Sequence, residues 1–236
     1  MTFRAKILIA ATALATLSAT CAYAQSGYGT WNDGAMAGGI GSQINTNQVN
    51  LQTNWSNMTG NIDTVAGDAV MQGAAGGNLM DITTMNNTMV NNTMVNNSQI
   101  VGPGASIGSN IVGNINNIGG SVGIQNQAVC NGVSVSTDPT LSATHSYQEC
   151  NAADPSSMIK ANVTNIYGDA VFQGSSLGNT FEADSNAPNM PIFNKQINNS
   201  TIASTVNANV YNIGGSTSMT SSAIGNTGQI IHYSTN

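Results

Sequence analysis

Two stretches of this chain, about 100 residues apart, repeat the same pattern. Residues 61–81 read NIDTVAGDAVMQGAAGGNLMD, and residues 162–182 read NVTNIYGDAVFQGSSLGNTFE. A second pair of stretches, 106–121 and 201–216, shares the sequence Asn-Ile-Gly-Gly. Self-similarity at a fixed spacing is typical of repeat architectures, in which neighbouring units stack and bury one continuous core. The repetition therefore predicts a chain built from stacked copies of one unit.

Residues that recur at equivalent places define the motif of this repeat. They are Gly67, Asp68, Gln72 and Asn78 in the first copy, and Gly168, Asp169, Gln173 and Asn179 in the second. We predict copy one over residues 61–135, and copy two with the C-terminal end over residues 162–236. Residues 136–161 are predicted to link the copies, with turn signals at Asp138-Pro139 and Asp154-Pro155.

Apolar residues alternate with polar or small residues within each copy. Val65, Ala69 and Met71 fall on one predicted strand face, and Val70 and Gln72 fall on the other. Asn, Gly, Ser, Thr and Val dominate the chain and are poor helix formers. The predicted fold is therefore all-β: a β-solenoid or stacked short-strand repeat, with a duplicated β-sandwich as the alternative.

Turns and amide side chains favour the stacked arrangement. Asn-Ile-Gly-Gly at Asn117–Gly120 and Asn212–Gly215 predicts a turn, because glycine adopts positive φ without steric cost. The chain has 34 asparagines but only four basic and ten acidic residues. Amide side chains are therefore its main polar groups, and we expect Asn and Gln of successive coils to hydrogen-bond in ladders.

The N-terminus has the layout of a secretory signal peptide. Arg4 and Lys6 form a positive region, residues 7–20 are uncharged and apolar or small, and Ala22-Tyr23-Ala24 supplies small residues before a cleavage site at Gln25. We expect the protein to be secreted, and to reside at the outer-membrane surface or outside the cell. A retained anchor helix is the alternative, although the uncharged segment is short for one.

The number of cysteines predicts one disulfide. Cleavage of the signal peptide, residues 1–24, leaves an N-terminal segment over residues 25–60 and removes Cys21, although a lipid-modified Cys21 is the alternative. Cys130 and Cys150 then remain, an even number in an oxidising compartment. We predict a disulfide between them, which closes a loop of about 20 residues and stabilises the fold by roughly 3 kcal/mol in the chain-entropy model.

The scarcity of basic residues argues against nucleic acid as a partner. After residue 24 the only basic residues are Lys160 and Lys195, against ten carboxylates. The chain therefore lacks the clustered Lys and Arg that nucleic acid binding requires. We predict no cofactor and no metal, since the two histidines, His145 and His232, lie far apart in sequence and no phosphate-binding loop follows a βα pattern.

Two carboxylate pairs, Asp68 with Asp169 and Asp81 with Glu182, keep one enzymatic alternative open. They permit a β-helix polysaccharide-degrading enzyme, since such hydrolysis needs two nearby carboxylates. Each carboxylate, however, occurs once per copy at an equivalent place, which suits a structural role. No arginine remains after the signal segment for a lyase site. We therefore predict a non-enzymatic protein and assign no catalytic residue.

The repeats resemble those of a known group of surface proteins. Gln-Gly-x-x-x-Gly-Asn, starting at Gln72 and Gln173, and Ala-Ile-Gly-Asn at 223–226 are similar to curlin-type repeats and to holdfast-attachment proteins of stalked and budding alphaproteobacteria. The resemblance covers the two copies. It implies a cell-surface protein for adhesion or for anchoring surface polysaccharide, exported by outer-membrane secretion machinery and held with other surface-anchor proteins.

Two further expectations concern partners. The ends of a solenoid expose edge strands, so we expect that the protein can associate into a homo-oligomer or a fibre. A functional-amyloid fibre subunit is the first alternative function. Trp31, Trp55, Tyr147 and Tyr211 are candidates for stacking on sugar rings, with core or edge positions as the alternative.

Overall fold

A computed structural model describes residues 42–84, 93–137, 142–151, 153–185 and 191–233. The predicted signal peptide, Trp31 and the Asp138-Pro139 turn lie outside these residues. Twelve strands and no helix are present in the described part, which accordingly holds no helix capable of crossing a membrane.

The strands form four successive coils of three strands each. Coil 1 contains β1 (Ser42–Asn50), β2 (Asn54–Val65) and β3 (Ala69–Thr84); coil 2 contains β4 (Thr93–Val101), β5 (Ile107–Ile118) and β6 (Val122–Thr137); coil 3 contains β7 (Ser142–Asn151), β8 (Ser156–Ile166) and β9 (Ala170–Ser185); coil 4 contains β10 (Ile192–Asn199), β11 (Ala203–Ile213) and β12 (Thr217–His232).

Strands at the same place in successive coils pair with one another, always in parallel. The pairing builds three four-stranded sheets: sheet A with the order β1-β4-β7-β10, sheet B with β2-β5-β8-β11, and sheet C with β3-β6-β9-β12. The predicted all-β solenoid is thus confirmed. The duplicated sandwich is not formed, because every pairing joins one coil to the next.

The repeating unit is one coil of about 50 residues, so the spacing of about 100 residues between the predicted copies corresponds to two coils. Asn78, Asn131, Asn179 and Asn226 occupy one column of sheet C at separations of 53, 48 and 47 residues. The sequence shows the two-coil period more strongly because Asp68 and Asp169, in coils 1 and 3, alternate with Ser121 and Ser216, in coils 2 and 4.

Residues 136–161 were predicted to link the two copies, and this prediction is wrong. It contains β7, which lies inside sheet A, and the first residues of β8 in sheet B. The predicted turn at Asp154-Pro155 does lie between these strands, and Asp154 has φ of 41°. The carboxylate of Asp154 accepts the backbone N–H of Thr201 at 2.8 Å, so this turn is bonded to the next coil.

The core lies between sheet C on one side and sheets A and B on the other. Each sheet C strand is 16 residues long, and its first half packs on sheet B while its second half packs on sheet A. The alternation predicted around Met71 holds in β3, since Met71 is 4% exposed while its neighbour Val70 is 61% exposed. Ile111, Ile124 and Phe172 are fully buried in the same cluster.

The corner between sheets B and C differs from the prediction in its mechanism. Positive φ is adopted by Asn117 and Asn212, at 56° each, and not by the glycines of the Asn-Ile-Gly-Gly turn. Asparagine tolerates this region better than other non-glycine residues. The glycines are needed for close approach instead, because a Cβ on Gly215 would lie 2.7 Å from the carbonyl oxygen of Gly168 in the coil below.

Candidate functional site

An asparagine ladder runs through the core from coil to coil along sheet C. Asn78 Nδ2 donates to Asn131 Oδ1 at 3.0 Å, Asn131 donates to Asn179 at 2.8 Å, and Asn179 donates to Asn226 at 2.7 Å. Asn131 and Asn179 are completely buried. Each amide therefore satisfies its carbonyl and one N–H by stacking on its equivalents, as a buried polar group requires.

A glutamine ladder faces it from sheet A, with its hydrogen bonds running the other way. Gln99 Nε2 donates to Gln48 Oε1 at 2.7 Å, Gln148 donates to Gln99 at 2.9 Å, and Gln196 donates to Gln148 at 2.8 Å. In this ladder the higher coil donates to the lower one. In the asparagine ladder the lower coil donates to the higher one.

The two ladders also clamp the opposing sheets together. Asn131 Nδ2 donates at 2.8 Å to the backbone carbonyl of Glu149, the residue that follows Gln148. Gln148 Nε2 in turn donates at 2.9 Å to the carbonyl of Thr180, the residue that follows Asn179. Equivalent bonds to the opposite sheet recur in the other coils, from Asn78, Asn179, Gln48, Gln99 and Gln196.

The predicted repeat residues divide among three places. Asn78 and Asn179 belong to the buried ladder just described. Gln72 and Gln173 instead lie on the outer face of sheet C, where each hydrogen-bonds Gln125 of coil 2 at 2.9 and 3.1 Å respectively. The structure therefore does not bring the motif Gln and Asn together, and the glutamines of the core ladder are ones the motif missed.

The remaining motif residues lie at the corner between sheets B and C. Asp68 Oδ1 accepts the backbone N–H of Ser121, and Asp169 Oδ1 accepts that of Ser216, both at 2.7 Å. Gly67 and Gly168 precede them, and the N–H of Gly168 donates to Gly120. One oxygen of each aspartate therefore bonds the backbone of the next coil.

The carboxylate pairs of the enzymatic alternative are each separated by an intervening coil. Ser134 lies between Asp81 and Glu182 in the sheet C register, as Ser121 lies between the two corner aspartates. Two strand spacings amount to about 10 Å. The described residues also contain no group of three or more His, Cys, Asp or Glu that could hold a metal ion.

The predicted disulfide is present between Cys130 and Cys150, which are both completely buried. Cys130 lies at the middle of β6 in sheet C and Cys150 near the end of β7 in sheet A. The bond therefore joins coil 2 to coil 3 across the core, beside Ala128 and Ala153.

The last coil is open to solvent on the side away from coil 3. In the described residues β10, β11 and β12 each pair with one neighbouring strand only. Asn226 is exposed, whereas Asn179 in the same column is fully buried. Val206, Val210 and Ile213 pack on the core but remain partly exposed for the same reason.

The outer face of sheet A carries a cluster of aromatic and ionisable side chains in coils 3 and 4. We call it the aromatic face and define it by His145, Tyr147, Glu149, Phe193 and Lys195. The rings of His145 and Phe193 have centroids 6.0 Å apart. The Lys195 ammonium lies 5.5 Å from the Tyr147 ring centroid, and the Tyr147 hydroxyl donates to Glu149 Oε2 at 2.7 Å.

Of the residues of the aromatic face, the sequence predicted Tyr147 alone as a candidate for stacking on sugar rings. The other sugar-stacking candidates in the described part, Trp55 and Tyr211, lie apart from it on sheet B and are 51% and 75% exposed. Comparison of the chain with protein-family models, with curated proteins and with solved structures finds no match.

Proposed function

We propose that the protein is an exported structural component of the cell surface or extracellular space, whose solenoids stack end to end and hold surface polysaccharide. The observation that carries this proposal is the open last coil with its unfinished ladders. A structural role also agrees with the corner aspartates, whose carboxylates bond the backbone of the next coil.

The two ends of the described solenoid offer complementary hydrogen-bonding groups. At coil 4, Asn226 Oδ1 accepts from Asn179, and no described residue accepts from its Nδ2. At coil 1, Asn78 donates from Nδ2, and no described residue donates to its Oδ1. A second molecule stacked in register would therefore continue the asparagine ladder.

The glutamine ladder is complementary in the opposite sense. Gln196 donates to coil 3 and to Thr227, which leaves its Oε1 towards the open end. Gln48 accepts from Gln99 and donates one N–H to Leu79, which leaves its second N–H for a neighbour. Stacking would satisfy both ladders together with the unpaired backbone groups of three edge strands, which makes the contact directional.

The test is the substitution Asn226→Asp, studied in the purified exported protein. Aspartate keeps the oxygen that accepts from Asn179 but removes the outward N–H, and it brings a charge against the next molecule. Thr220→Asp is the matched control, because it adds the same charge to the same strand on the outer face, opposite Gln173. Association is measured by sedimentation velocity and by negative-stain electron microscopy across a concentration series.

We expect the wild type and Thr220→Asp to form linear assemblies and Asn226→Asp to remain monomeric with an unchanged circular dichroism spectrum. Should Asn226→Asp fail to fold, Val210→Lys tests the same end in sheet B, since an inward charge blocks an edge strand. A wild type that stays monomeric at every concentration, or open-end variants that assemble like the control, would overturn the proposal.

A further inference from the structure

In the two core ladders, equivalent positions of successive coils carry the same residue type. The outer face of sheet A does not keep this pattern beyond coil 2. In coils 1 and 2 one of its columns carries asparagines, and Asn96 Nδ2 donates to Asn45 Oδ1 at 2.8 Å. The same column continues with His145 in coil 3 and Phe193 in coil 4. Ladder bonding ends at that point, so stabilisation of the solenoid by stacked amides does not account for these two residues.

Phe193 presents part of its ring to solvent. Phe193 is 50% exposed on a sheet whose other outward side chains are mostly short or polar. It lies one strand from His145 and diagonally across the register from Tyr147. The exposed ring of Phe193, held on a strand of sheet A, gives a surface on which the apolar face of a sugar ring can stack at little entropic cost, whereas His145 beside it is buried.

The charge on the aromatic face indicates which sugars would bind. Lys195 is exposed, and it forms no ion pair with a described residue; its ammonium lies over the Tyr147 ring instead. Glu149, the acidic member of this face, accepts the Tyr147 hydroxyl. An ammonium that lacks a carboxylate partner and sits beside stacking surface is complementary to a sugar that carries its own carboxylate.

We propose that the aromatic face binds an acidic polysaccharide, with a pyranose ring stacked on Phe193 and a uronate carboxylate paired with Lys195. This inference rests on the proposed function, because it names the site and the class of polysaccharide that the surface protein would hold. The site lies on the outer face of sheet A in coils 3 and 4 and not on the strand edge that would stack, so binding does not require that molecules stack.

The test measures binding of short uronic-acid oligosaccharides, four to six sugars long by design, to the folded exported protein by titration calorimetry. Neutral oligosaccharides of the same length and linkage are the comparison ligands. The variants are Phe193→Ala and Lys195→Gln. Their controls are Tyr211→Ala, which removes an exposed ring from sheet B, and Lys160→Gln, which removes the other lysine of the described chain.

We expect Phe193→Ala to weaken binding of acidic and neutral oligosaccharides at least tenfold, and Lys195→Gln to remove the preference for the acidic ligand. That preference should also fall with added salt. The two control variants should bind like the wild type. Equal binding of acidic and neutral ligands by the wild type, or equal effects of Lys160→Gln and Lys195→Gln, would overturn the inference.

Repeating the titration with Asn226→Asp separates this inference from the stacking proposal. Oligosaccharides this short do not need several copies of the site, so a monomeric variant with an intact aromatic face should bind as tightly as the wild type. Binding that is retained while assembly is lost supports the site. Assembly without any oligosaccharide binding refutes the site and leaves stacking intact.

Discussion

Removal of one rung from the asparagine ladder should destabilise the fold far more than removal of a rung from an outer ladder. Asn131→Ala deletes a completely buried amide with three hydrogen bonds: to Asn78 at 3.0 Å, to Asn179 at 2.8 Å and to the Glu149 carbonyl at 2.8 Å. Gln125→Ala is the matched control, since Gln125 lies on the same strand and bonds two ladder neighbours on the outer face.

The expected magnitude follows from what each substitution leaves behind. Asn131→Ala leaves Asn179 Oδ1 and one amide N–H of Asn78 without their hydrogen-bond partner inside the core, where water does not replace it. A buried unsatisfied group costs about 1–3 kcal/mol, so the two together should lower the free energy of unfolding by about 4 kcal/mol. For Gln125→Ala, water solvates the released groups and the loss should stay under about 1 kcal/mol.

Equilibrium unfolding in urea, followed by circular dichroism with the disulfide intact, measures both values. A loss of about 4 kcal/mol is a large part of the stability of an ordinary domain, so the midpoint should fall markedly for Asn131→Ala. If the two variants differ by less than about 1 kcal/mol, the core amides are not held as the ladder geometry implies, and the reasoning on buried amides is refuted.

Two further predictions concern covalent and steric constraints. Substitution of both Cys130 and Cys150 by alanine should lower the free energy of unfolding by about 3 kcal/mol, since the bond closes a loop with a sequence separation of 20; urea unfolding checks this, and an unchanged midpoint contradicts it. Gly77→Ala should cost about 1–3 kcal/mol, because a Cβ there would collide with the carbonyl oxygen of Cys130, whereas Gly67→Ala, with open space around the added Cβ, should be near neutral. Equal thermal midpoints for the two glycine variants would contradict this, because they would show that the neighbouring coil can shift to accept the added Cβ at Gly77.

The fold class was predictable because strand periodicity and self-similarity are both local signals. Met71, Val70, Ile111 and Ile115 fall on the faces that simple alternation assigns to them. The disulfide was predictable from cysteine number, since the expected loss of Cys21 with the signal peptide leaves two thiols with one possible partner each. What these signals share is that they depend on the residue type and its parity along a strand, and not on which coil lies above.

The coil period was not predictable from the same signals. Coils 1 and 3 share Gly-Asp-Ala-Val and Gln-Gly, so sequence identity is strongest at a spacing of two coils, and the segment that contains β7 was predicted to be a linker. The column of Gln48, Gln99, Gln148 and Gln196, at separations of 51, 49 and 48 residues, carries the true period. Spacing between single buried amides was the signal that could have revealed it.

The positions missed at the candidate surfaces have a different cause. Gln72 was selected as a motif residue because its neighbours repeat, yet it lies outside the core and contributes an outer ladder. Phe193 was not predicted as a site residue, and Lys195 entered the prediction only through the count of basic residues, because neither residue repeats. In a solenoid, repetition identifies residues that stabilise stacking, so residues that interrupt a column are the ones for which another role must be sought.

The stacking chemistry links stability inside the solenoid to association at its end, and the two can be separated by position. Asn131 and Asn226 occupy the same column, two coils apart, and make the same kind of amide bond. Both neighbours of Asn131 belong to its own chain, so its loss should lower stability. Among the described residues Asn226 has a ladder neighbour on one side only, so Asn226→Asp should change association while leaving stability near that of the wild type. Opposite outcomes at these two positions would mean that the ladders do not extend from one molecule to the next.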